Sequence, residues 1–165
     1  MNIDSYIRQY GGRLYGLCRT LCASEADADD LYQETWLKVI RYYDRYDPSR
    51  EFEPWLTRIC VNTYRSTLRR MIRSPVFPFH TNEEKDAAME KLAAPEKEDY
   101  AALYAAIDQL PEKLRVTVIL FYFRDMDITS VSAVLGMPAG TVKSRLHKAR
   151  KLLREVLGNE TDLRF

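Results

Sequence analysis

Apolar residues recur along this chain at helical spacing, and the strict alternation of a half-buried strand is nearly absent. The first helical block runs from about Ile3 to Arg73. Within it, Ser24 before Glu25-Ala26-Asp27 predicts an N-cap with acid in the first turn, where the helix dipole favours negative charge. Asp47-Pro48-Ser49-Arg50 predicts a turn. Ser74-Pro75-Val76-Phe77-Pro78-Phe79 cannot continue a regular helix, and the polar Glu/Lys/Ala stretch behind it ends at Pro95. Regular patterning returns near Asp99. Leu110-Pro111-Glu112 marks a helix start, and Leu114 to Phe123 is apolar enough for the central helix of a small core. Gly136-Met137-Pro138 is a short turn between helices over Ile128–Leu135 and Ala139–Leu157. The expected fold is all-α: two small helical domains, 1–73 and 99–165, joined by a flexible linker, 74–98.

The last helix carries the clearest division of labour. Val142, Leu146, Ala149, Leu153 and Val156 fall on one stripe and are expected to face the core. Ser144, His147, Lys148, Lys151 and Arg154 lie opposite, with Lys143 and Arg145 on the flanks. Helix, tight turn and basic second helix form a helix-turn-helix pattern, whose second helix can enter a DNA major groove. Thr141, Lys143, Ser144, Arg145 and Lys148 would then lie nearest base edges, and Arg150, Lys151 and Arg154 nearer phosphate.

Two further faces lie in the first block. Over Glu53–Met71, residues Leu56, Cys60, Thr67, Leu68 and Met71 are expected to point inward. Arg58, Asn62, Arg65 and Arg69 line one ridge, with Trp55 at its start. Tyr42, Tyr43, Tyr46, Phe52 and Trp55 crowd its approach. A basic ridge beside aromatic rings suits unstacked bases, although about half of these rings are expected to be ordinary packing. Over Asp27–Tyr43, the expected apolar stripe is Tyr32, Trp36, Val39, Ile40 and Tyr43. Asp30, Glu34, Leu37 and Arg41, with Gln33 alongside, make an acid-rich ridge around an exposed leucine, which suits a protein partner better than DNA.

Charge sharpens this picture. The net charge of 165 residues is only +1, but acidic residues are missing between Pro54 and Asn82 and again from Thr141 to Arg154, where basic residues cluster. Acid concentrates in Asp27–Asp30 and from Glu83 to Asp99. Two basic segments separated by an acidic one predict two polyanion contacts. An apolar share of 46% suffices for helical cores. No apolar run approaches the roughly 18 residues of a membrane span, and the first residues lack a secretory pattern, so a cytoplasmic protein without membrane insertion is expected. Cys18 and Cys22 share a helix face, which makes a zinc half-site conceivable, but His80 and His147 fit no ligand spacing with them. Buried reduced thiols, with no metal and no cofactor, are the expectation. Carboxylate clusters at metal spacing, glycine-rich phosphate loops and nucleophile pairs are missing from the sequence, so no enzyme is expected.

Three segments together resemble one family. Ala26-Asp27-Ala28-Asp29-Asp30-Leu31-Tyr32-Gln33-Glu34-Thr35-Trp36 is similar to the D-A-E-D-L-V-Q-E-T-F segment of extracytoplasmic-function sigma factors. Phe52-Glu53-Pro54-Trp55-Leu56-Thr57-Arg58-Ile59 resembles their F-x-x-W-L-x-R-I segment. Leu135 to Arg150 resembles their L-G-x-S-x-G-T-V-K-S-R-L-H-R-A-R. The resemblance implies a transcription initiation factor with two domains, regions two and four. Region two would dock Asp30, Gln33, Glu34, Leu37 and Arg41 on the clamp coiled coil of core RNA polymerase. It would also hold the melted minus-ten strand by Trp55, Arg58, Asn62, Arg65, Arg69 and Arg70. Region four would meet the polymerase flap and read the minus-thirty-five duplex by Thr141, Lys143, Ser144, Arg145, Lys148, Arg150 and Lys151. Core RNA polymerase, promoter DNA and an anti-sigma factor are the implied partners. The sequence departs from the pattern at Ser66, at Thr129-Ser130 in place of Glu-Glu, and at Pro138 in place of a capping serine. A stand-alone helix-turn-helix regulator is the alternative.

Overall fold

The computed structural model describes residues 2–73 and 101–158. The chain divides into two compact units whose boundary falls between these segments. The expected linker, 74–98, lies outside the described residues. All regular structure among the described residues is helical.

The first unit is a three-helix bundle of α1 (Ile3–Leu21), α2 (Glu25–Tyr42) and α3 (Phe52–Arg73), each packed on the other two. Asn2 caps α1 by accepting from the Ser5 amide. Ser24 caps α2, its hydroxyl oxygen accepting from the Asp27 amide at 3.1 Å. Leu14, Leu17, Cys18 and Leu21 of α1 meet Ala28, Leu31, Trp36 and Val39 of α2, and Phe52, Leu56, Cys60, Val61 and Tyr64 of α3 in one core. Burying each of the larger side chains is worth about 1.5–3 kcal/mol, which holds the short bundle together. A short 3-10 turn (Tyr43–Arg45) and the Asp47–Arg50 turn connect α2 to α3, as the sequence predicted for the latter.

Two expectations need correction here. Ile40 is 51% exposed, because the buried stripe of α2 runs through Ala28, Leu31, Thr35 and Val39 instead. Thr67, Leu68 and Met71 are only half-buried, since the fully buried positions of α3 run from Phe52 to Tyr64. Cys18 and Cys60 are free and buried, as expected of reduced thiols, with their Sγ atoms 3.8 Å apart in the core, while Cys22 is half-buried. Among the described residues no group of three or more metal-ligating side chains converges.

The second unit holds α4 (Ala101–Asp108), α5 (Glu112–Val118), α6 (Ile128–Leu135) and α7 (Ala139–Leu157). α7 packs against the other three. Leu114 to Leu120 are all buried, so α5 is the central helix that the apolar run predicted. Its regular part ends at Val118, however, and Ile119–Phe123 forms one wider turn, with the Arg124 amide bonded to the Ile119 carbonyl at 3.1 Å. Asp127 caps α6 by accepting from the Ser130 amide at 2.7 Å. Gly136, at φ +64°, closes α6 in the left-handed conformation that glycine adopts without cost. The bounds of α6 and α7 are those the sequence predicted.

Val142, Leu146, Ala149 and Leu153 bury the inner face of α7, but Val156 is 68% exposed. Among the described residues no helix is long and apolar enough to cross a membrane.

Candidate nucleic-acid interface

The basic ridge of α3 is a surface feature. Arg58, Asn62, Arg69 and Arg70 are exposed and Arg65 is half-buried. Arg69 Nε donates to the Arg65 carbonyl at 3.3 Å, which lays that side chain along the ridge. Ser66, Arg69, Arg70 and Arg73 border one open depression at its C-terminal end, where cationic side chains also suit the helix dipole.

The N-terminal end of the ridge is aromatic. Trp55 is half-buried, with its ring 5.0 Å from Tyr46 and 5.6 Å from Phe52. Of the five rings singled out in the sequence, only Phe52 is buried; Tyr42, Tyr43, Tyr46 and Trp55 keep part of their surface. Two rings that the sequence reading missed complete the cluster. Tyr6 and Tyr10 of α1 stand 4.3 Å and 5.1 Å from Phe52. Their spacing of four residues was a legible signal, but nothing local to α1 says which helix they meet.

Hydrogen bonds set the shape of this end. The Tyr6 and Tyr43 hydroxyls lie 3.2 Å apart, and that bond, with desolvation, pushes the Tyr43 phenol above its ordinary range. Burial raises Tyr46 likewise. Both phenols therefore stay protonated at neutral pH. The Tyr46 hydroxyl donates to the Arg50 carbonyl across the turn. Asp47 Oδ1 accepts from Ser49 Oγ at 2.7 Å and the Ser49 amide at 3.0 Å, bonds that hold its carboxyl below the usual range.

On α2, Asp30, Gln33, Leu37 and Arg41 are exposed and Glu34 is half-buried. Leu37 keeps 64% of its surface, and Ile40 widens the apolar spot beside it. Lys38 ties this ridge to α3: its ammonium lies 3.0 Å from Glu34 and donates to the buried Thr63 hydroxyl at 3.2 Å. The outward face of α7 carries Lys143, Ser144, His147, Lys148 and Lys151, all exposed. Sequence reading put His147 on this face without including it among the contacts; its position between Ser144 and Lys151 makes it one more candidate. Thr141, Arg145 and Arg150 flank the face and are half-buried. Pro138 precedes the helix without a side-chain bond, and its carbonyl accepts from the Thr141 and Val142 amides.

Comparison with known proteins bears directly on these surfaces. Residues 6–73 match the model of sigma-70 region 2, and residues 100–153 match that of sigma-70 region 4. The chain is 31% identical over 137 residues to the ECF RNA polymerase sigma-E factor of Escherichia coli, covering 77% of this chain and 72% of that protein. It belongs to the extracytoplasmic-function sigma factors.

A longer relative is the ECF RNA polymerase sigma factor SigE of Mycolicibacterium smegmatis, 34% identical over 165 residues. The match takes in 96% of this sigma factor but spans 62% of that protein's length. Among solved structures, the sigma factor RpoE in complex with the anti-sigma factor NepR, from Bartonella quintana, is similar in fold. Its TM-score is 0.72 at 21% identity, covering 96% of this sigma factor and 98% of that chain. The α2 ridge and the α3 ridge lie in the region 2 match, and α6 and α7 lie in the region 4 match.

Proposed function

We propose that this sigma factor works in the cytoplasm as a promoter-recognition subunit, with domains at 1–73 and 99–165 and a linker at 74–98. Asp30, Gln33, Glu34, Leu37 and Arg41 of α2 dock on the clamp coiled coil of core RNA polymerase. Trp55, Arg58, Asn62, Arg65, Arg69 and Arg70 of α3 hold the minus-ten strand once its bases leave the stack. Unstacking costs a few kcal/mol per base, and stacking on aromatic rings returns about 1–3 kcal/mol per base. Thr141, Lys143, Ser144, Arg145, Lys148 and Lys151 of α7 contact the minus-thirty-five duplex, while the second domain also meets the polymerase flap.

The chain makes and breaks no bonds in this scheme. Its work is to orient the polymerase and to stabilise an open strand. An anti-sigma factor that covers the polymerase-facing ridge is the expected regulator.

The observation that carries the proposal is that α2 and α3, neighbours in one small bundle, present chemically opposite ridges. One is acid-rich around an exposed Leu37, and the other is basic beside a partly exposed aromatic cluster. A protein that bound duplex DNA alone would need only α7.

The test is transcription in vitro with purified core polymerase and a library of promoter fragments. New start sites that disappear with Asp30→Ala/Glu34→Ala, and separately with Lys143→Ala, support the assignment of both surfaces. Duplex binding as a dimer without any new transcript overturns it in favour of a stand-alone regulator.

A further inference from the structure

The helical pattern put Arg150 among the phosphate contacts of α7, but its side chain is engaged elsewhere. Arg150 Nε donates to the Tyr122 hydroxyl at 2.7 Å, and its guanidinium carbon stands 5.7 Å from the centre of the Tyr122 ring. Arg150 follows the fully buried Ala149 and lies one turn before Leu153, so it borders the buried stripe of α7.

Tyr122 is aimed there by an unusual piece of backbone. It sits in the wide turn Ile119–Phe123, where the Arg124 amide bonds to Ile119 and the Met126 amide to Leu120. The extra residue in that turn rotates Tyr122 away from where a regular helix would carry it. Phe121 braces the ring edge-on at 4.9 Å. Lys151, the next residue along α7, is exposed.

We infer that Arg150 is a positioning residue: it pins the reading helix to the wide turn after α5 through Tyr122, and it is not one of the phosphate contacts. This rests on the reading of α7 as the minus-thirty-five reading helix. The planar guanidinium is needed for the role, because it donates from Nε in a fixed direction to the phenol oxygen, which a flexible lysine ammonium does not do. A phosphate contact, by contrast, does not depend on the Tyr122 hydroxyl.

The test measures holoenzyme binding to promoter duplex against salt for Arg150→Lys, Tyr122→Phe and Lys151→Gln, with amide hydrogen exchange over α7 in the free full-length chain. A pin predicts that Arg150→Lys and Tyr122→Phe both weaken binding, on the order of tenfold for a lost charge-assisted bond, without changing the salt slope. Both variants should also speed exchange along α7. Lys151→Gln should instead lower the slope by about 0.9, the signature of one lost phosphate contact.

If Arg150→Lys binds like wild type, or if neither variant changes exchange, the inference is overturned. Should wild-type holoenzyme bind no promoter fragment at all, the sigma-factor assignment of α7 fails. The exchange measurement then decides the pin by itself.

Discussion

A β-carbon placed on Gly11 of α1 would stand 2.9 Å from the hydroxyl of Tyr32 on α2. That close approach lets the Tyr32 ring lie against α1, where it meets Tyr15 edge-on at 5.6 Å. Gly16, on the same helix, has nothing within 4 Å of such a carbon. Gly16→Ala is therefore expected to stabilise the first domain by about 0.5–1 kcal/mol, through helix propensity and a less flexible unfolded chain. Gly11→Ala should gain less or nothing, since Tyr32 must move. Both tryptophans, Trp36 and Trp55, lie in the first domain, so the tryptophan emission of a urea titration reads the comparison directly.

The three thiols should fall into two classes. Cys18 and Cys60 are buried against one another, and their contact, with burial, raises the Cys18 thiol far above its ordinary range. Cys22 is half-buried at the end of α1. Alkylation of the native protein at mildly alkaline pH is expected to modify Cys22 first, with Cys18 and Cys60 reacting only as the bundle unfolds. Equal rates at all three would show that the core opens readily.

Asp127 should impart an acid limb to the stability of the second domain. Its carboxyl is held below the usual range by the bond from the Ser130 amide, and the unfolded chain lacks that bond. The stabilisation is present above the ordinary aspartate pKa and is lost as pH falls through the depressed folded value. Asp127→Asn keeps a capping oxygen without the titration, so helical circular dichroism followed into acid should flatten in that variant. An unchanged acid limb would place the titration elsewhere.

Leu37 and Lys143 should separate the two binding activities. Leu37→Ala removes a side chain that is 64% exposed, so thermal stability should hardly change. Affinity for core polymerase should fall by about 1–2 kcal/mol if Leu37 sits at the centre of that contact. Lys143→Ala should leave polymerase binding intact while the salt slope of promoter binding falls by about 0.9. Pull-down with core polymerase and fluorescence anisotropy with duplex DNA read the two separately.

Several elements were legible before any fold was known. Ser24 as a cap, the Asp47–Arg50 turn, the bounds of α6 and α7, and the exposure of Asp30, Leu37, Arg58 and Lys143 follow from local rules. A cap is a bond between near neighbours, a turn is a matter of permitted dihedrals, and a charged side chain rarely goes inside unpaired. Order along the chain therefore carried most of the architecture and most of the candidate surface.

Tertiary packing decided the rest. Whether Ile40 or Leu31 faces the core depends on where α1 and α3 lie against α2, because a helical stripe has broad edges and the partner surface chooses among them. Val156 and Met71 are apolar at the right spacing, yet Val156 is exposed and Met71 only half-buried, because spacing within one helix does not say where a neighbour covers it. Tyr6 joins Phe52, Cys18 meets Cys60 and Arg150 finds Tyr122 across separations that no periodicity within one helix encodes. The sequence by itself determined which segments are helices and which sides carry charge, since both arise from interactions a few residues apart. Only the packed structure determined which flanking residues are exposed and which are engaged by a neighbour, since that depends on side chains brought together from distant helices.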